Sequence, residues 1–145
     1  MSAAEPGVEL RRAAASLELV RGQMEALARQ AETLQLALEE ILRARETLRH
    51  THGAAGREIL VPIGANGFVF GQIKDADRVI VGIGSDVAIE ETVSGAVARL
   101  EARSQAIEEA ERGLAERMAQ LEQQADAYNR RVQDLYERTQ GAQPG

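Results

Sequence analysis

Cysteine and tryptophan are both missing from this 145-residue chain, and aromatic residues make up only 3% of it. Without cysteine there can be no disulfide, no thiolate zinc site and no cysteine nucleophile, and nothing hints at an oxidising compartment. So few aromatics leave a bulky globular core without its usual filling. Long apolar runs are missing too. No window approaches the ~18 consecutive apolar residues of a membrane span. The opening "MSAAEPGVEL" lacks the basic flank and apolar core of a secretory signal. There is no excess of basic charge. A net charge of −6 and a pI near 5.0 disfavour electrostatic capture by nucleic acid or anionic lipid, so a soluble, cytoplasmic protein is expected.

What is present is Ala, Leu, Glu, Arg and Gln, concentrated at both ends. From Val8 to about His50 apolar residues return at alternating intervals of three and four: Leu10, Ala13, Leu17, Val20, Met24, Leu27, Ala31, Leu34, Leu38, Ile41, Arg45 and Leu48. The spacing resumes at Val93 and continues through Val97, Leu100, Ser104, Ile107, Glu111, Leu114, Met118, Leu121, Ala125, Tyr128, Val132 and Leu135. Each series is the seam of a coiled coil, interrupted by Arg45, Ser104 and Glu111. Glu111 is expected to snorkel outward. Pro6 suits a first helical turn, "HTHGAAG" with Gly53 and Gly56 ends the first helix, Glu90 and Glu91 favour the start of the second, and "GAQPG" closes it. At ~1.5 Å per residue each rod is roughly 65 Å long. A short connection favours the antiparallel hairpin, and the register that sets Ala13 against Val132, Val20 against Ala125, Ala31 against Leu114 and Leu38 against Ile107 faces small residues with larger ones.

Between the rods the period changes to two and β-branched residues cluster. Four strands are predicted, at about 58–63, 68–73, 78–83 and 87–91, with turns at "NG" (Asn66, Gly67), "KDAD" and "GSD". "IGANGFVF" and "IGSDVAI" form a rough internal repeat of Ile-Gly, turn and alternating apolar residues. The glycines raise the question of a phosphate loop. Such a loop needs a helix N-terminus directly after it, and here "FVFGQI" and "VAIEE" follow as strands. They are turn glycines, and no cofactor is expected. His50 and His52 have no third metal ligand nearby, and no Ser has a usable His partner. The chain is not expected to be an enzyme.

The fold class is therefore α+β: a long antiparallel two-helix coiled coil (helices 6–52 and 92–140) with two β hairpins (57–91) inserted at its apex. Strands so arranged carry an alternation with no helix to cover it, so Ile63, Phe68, Phe70, Ile73, Val79, Val81, Ile83, Val87 and Ile89 are expected to form an assembly surface. At ~1.5–3 kcal/mol for each large apolar side chain, leaving them bare would invite aggregation.

The stretch "LVPIGANGFVFGQIKDADRVIVGIGSDVAIEETVSGA" resembles the alpha-subunit family of prefoldins, most of all the archaeal form, through its "VPIG", its aromatic-containing second strand and "VGIGSDVAIE". The helices share only length and periodicity with that family. The resemblance implies a hexamer of two alpha and four beta subunits, strands closed into β barrels, and coiled coils hanging from them. It also implies an ATP-independent holdase that captures unfolded clients at the coiled-coil tips and passes them to a group II chaperonin. On that view Val8, Leu10, Leu17, Tyr128, Val132, Leu135 and Tyr136 are the client-binding tip residues. All but Val8 and Tyr136 are equally seam residues, exposed only where terminal layers fray. The alternative is a structural tether without client binding. A nucleic-acid-binding helical arm would carry a basic stripe, which is absent.

Overall fold

The computed structural model of the protein describes residues 5–141, so the "AQPG" end of the expected C-terminal stop lies outside the described residues. The element order is α1 (Pro6–Thr51), β1 (Glu58–Gly64), β2 (Gly67–Gln72), β3 (Arg78–Gly84), β4 (Val87–Thr92) and α2 (Val93–Gly141). These form two long helices with two antiparallel hairpins between them, as the periodicities predict. The chain divides into two compact units, one built from residues up to Gln35 and from Glu109 onward, the other from Leu36–Glu108.

In the first unit the heptad positions become a seam. Ala13, Leu17, Val20, Leu121 and Leu135 are buried, and Leu121 and Leu135 almost completely so. Ala31 and Leu114 line one groove together, consistent with the register that faces them. An ion pair of 3.2 Å between Glu9 of α1 and Arg131 of α2 spans the seam near the open end. In the second unit Ile41, Val93, Leu100 and Ser104 are buried at seam positions, and Ala96 joins them from beside the stripe. Ser104 is tolerated there because its hydroxyl donates to the Glu101 carbonyl at 2.8 Å.

The helix ends have local causes. Glu5 accepts from the Val8 and Glu9 amides, and Pro6 occupies the first turn, where a missing N–H costs nothing. The α1 helix stops at Gly53, whose φ of +74° only glycine adopts freely. The α2 helix is capped by Thr92, whose Oγ1 accepts from the Gly95 amide at 3.1 Å. Glu90 and Glu91 lie within β4, where the predicted strand at 87–91 puts them, and are held by Arg78 and Arg99; the first turn of α2 itself has no acidic residue.

The first hairpin turn sits one residue earlier than the "NG" signal suggests, while the second falls within the predicted "GSD". Ala65 and Asn66 (φ 49° and 61°) are the central pair in the first, and Ser85 and Asp86 (φ 50° and 60°) are their counterparts in the second. Two consecutive positive φ values are what a type I′ hairpin turn requires. Each turn is preceded by a glycine at high positive φ, Gly64 (96°) and Gly84 (106°), at a register shift in its ladder. The internal repeat in the sequence is thus a repeated bulge and turn. Gly67 is needed for a different reason: a Cβ there would meet the Gly64 carbonyl oxygen and the Ile63 side chain at 3.3 Å.

Candidate interaction surfaces

The pleat decides which strand side chains share a face. In the first hairpin Leu60 opposes Phe70 and Pro62 opposes Phe68, while Val61 opposes Val69 on the other face. Every residue of β1 is exposed, and Phe70, Ile63, Leu60 and Phe68 are 76, 66, 58 and 57% accessible. This hairpin is apolar on both faces and covered on neither. Ile73, just beyond β2, is half-buried and continues the pairing through bonds with Gly56 and Arg57.

The second hairpin is different, and here the expectation that no helix covers the strands is overturned in part. Val79 opposes Glu91 and Val81 opposes Ile89, and all four are half-buried. A groove of about 430 Å³ is lined by Val79 and Val81 together with Ala44, Leu48, Ala96 and Leu100, so this face looks onto the helices. Glu91 fastens it: the Arg99 Nε donates to both carboxylate oxygens, at 3.1 and 3.3 Å, and this raises the Arg99 pKa above its ordinary value. On the opposite face Ile80 is 78% exposed, with the Arg78–Glu90 ion pair beside it. Ile83 and Val87, next to the turn, are about half accessible.

At the open end of the coiled coil the expected tip residues separate into two groups. Tyr136 is 55% exposed, Tyr128 lies at the margin of exposure, and Val8, Leu10 and Val132 are half-buried. Leu17 and Leu135 are buried and hold the seam, so another molecule reaches them only where the layers fray. Sequence periodicity sets only Val8 and Tyr136 apart, because it marks the seam without showing that it is tight at Leu17 and Leu135 and looser at Leu10, Tyr128 and Val132.

The remaining candidates form no reactive constellation. His50 hydrogen-bonds Glu46 at 3.0 Å one helical turn away, and His52 lies two residues on. Among the described residues no group of three potential metal ligands comes together, and no helix is long and apolar enough to cross a membrane. Glu111 departs from expectation: one of its carboxyl oxygens is covered rather than snorkelling into water, and it has no hydrogen-bond partner.

A family model described as Prefoldin subunit matches residues 20–138. Prefoldin subunit alpha of Pyrococcus horikoshii is 33% identical over 137 residues, covering 93% of each chain. Prefoldin subunit alpha of Methanoculleus marisnigri is 32% identical over 85% of this chain and 83% of its own. A filamentous PFD from Methanocaldococcus jannaschii aligns with a TM-score of 0.47 at 22% identity, over 83% of this chain and 95% of that one.

Proposed function

The chain belongs to the prefoldin family of chaperone subunits, and we propose that it is an alpha-type subunit of an ATP-independent holdase. In this reading it assembles through its strands with beta-type subunits, two alpha with four beta, in the cytoplasm. It captures unfolded polypeptides with the open end of its coiled coil and hands them to a group II chaperonin. The observation that supports this best is where large apolar side chains are exposed: most lie on the strands, and two tyrosines lie at the open end.

Physical chemistry connects these surfaces to the two tasks. Assembly needs a contiguous apolar face that is desolvated permanently, and the two-faced first hairpin, with Leu60, Phe68 and Phe70 on one side, offers it. Client capture needs weak contacts without sequence preference, repeated on several subunits so that effective concentration supplies the affinity. Tyr128 and Tyr136, with Val8, Leu10 and Val132 beside them, suit that role, since tyrosine offers a large contact area at low cost in side-chain entropy. Neither task needs a nucleotide.

The deciding experiment is light scattering from a denatured client diluted into buffer with the assembled complex. Scattering is expected to fall in proportion to complex, with or without ATP. A complex that assembles yet leaves scattering unchanged would favour the structural tether.

A further inference from the structure

Among the described residues one side-chain polar atom is buried without a hydrogen-bond partner, the Oε1 of Glu111. It sits at a seam position of α2, where the periodicity demands an apolar side chain. The packing around it is thin. A groove of about 460 Å³ is lined there by Leu27, Ala31, Glu32, Glu111, Leu114 and Met118, and a second of about 600 Å³ also reaches Leu114, beside Leu34. Ala31 is exposed despite its seam position, and Leu27, Leu34, Leu114 and Met118 are only half-buried. In the same unit Leu17, Val20, Leu121 and Leu135 are buried. An unpaired carboxyl oxygen regains a partner when the seam parts, so opening is easiest where Glu111 lies.

We propose that this stretch is a second, cryptic client site, selective for unfolded segments that carry Lys or Arg beside apolar residues. The inference rests on the holdase reading and adds a place of capture distinct from the open end. Charge complementarity names the occupant. The groove around Glu111 carries two carboxylates, Glu32 and Glu111, and no basic residue, while Arg29 lines the neighbouring one. When residues 27–35 and 110–118 part, a basic side chain supplies the donor that Glu111 lacks. Its neighbours then lie on Leu27, Leu114 and Met118, the last of these flexible enough to fit many shapes. An acidic segment would meet like charge at the same place.

The test uses the full chain assembled with its beta-type partner and two labelled peptides, identical and apolar except for a central Lys or Glu, read by fluorescence anisotropy. The Lys peptide is expected to bind roughly tenfold more tightly, the scale of one hydrogen bond to a charged group. Glu111→Leu, which completes the apolar seam, is expected to abolish that preference and to slow amide exchange over 27–35 and 110–118. Glu111→Gln is expected to reduce the preference without slowing exchange. Removing the residues before Leu10 and after Arg131 is expected to leave the preference intact, which separates this site from the open end. Equal binding of the two peptides by the unaltered complex, or an undiminished preference in Glu111→Leu, overturns the proposal. Failure of the holdase reading shows instead as unchanged client scattering, whatever the peptides do.

Discussion

Two single residues carry more of the local structure than their size suggests. Gly64 holds a φ of +96° directly before the first turn, a conformation that a β-branched side chain opposes by about 1–3 kcal/mol. Gly64→Val is therefore expected to weaken the first hairpin and lower the midpoint of thermal disassembly, while the helical signal in circular dichroism persists. An unchanged midpoint would show that the bulge relaxes without cost. Thr92→Ala removes the acceptor for the Gly95 amide and is expected to cost about 1 kcal/mol of α2 stability, measured by urea unfolding. At this scale the sequence is only partly legible. Glycine after isoleucine announces both bulges, and Asn66 announces the first turn, but a pair such as Ala65–Asn66 at positive φ is set by the ladder that closes on it. The acidic pair before α2 is placed correctly in the fourth strand by the sequence, but its partners Arg78 and Arg99 are set by strand pairing and by the approach of α2.

The elements themselves follow from period, and the strand and helix limits fall within a residue or so of those the sequence predicts. The contacts between elements do not follow from period. That the second hairpin turns one face to the helices depends on chain direction out of β4 and on the Glu91–Arg99 tie, which no local pattern encodes. The two hairpins should consequently respond differently to a buried charge. Phe70→Asp alters a side chain that touches little within its own chain, so the isolated subunit should melt as before while assembly with beta-type subunits is lost. Val81→Asp puts the charge in the groove beside Ala96 and Leu100, and is expected to lower the stability of the isolated subunit by a few kcal/mol as well. Circular dichroism melts of the subunit, paired with light-scattering masses of the mixture, separate the two outcomes. Equal melting of both variants would remove the distinction between the hairpins.

For the molecule as a whole, the surfaces proposed for assembly and for capture use different residues and should part by truncation. Removing the residues before Leu10 and after Arg131 deletes Val8, Val132, Leu135 and Tyr136 and breaks the Glu9–Arg131 pair. The truncated chain is expected to reach the same mass with its partner, at reduced coiled-coil stability. It should protect a denatured client less well, short of complete loss because the other subunits still contribute. Protection equal to that of the full-length complex would shift capture away from this open end. The bare first hairpin has a consequence of another kind. Residues 58–72 leave the ribosome before α2 does, and in the finished chain Leu60, Phe68 and Phe70 stay exposed among the described residues. If assembly covers this hairpin as proposed, a surplus copy displays a mark that an assembled one hides, and subunit ratio can be policed by degradation. In a pulse-chase, this chain's lifetime should lengthen when its partner is co-expressed and shorten when it is not.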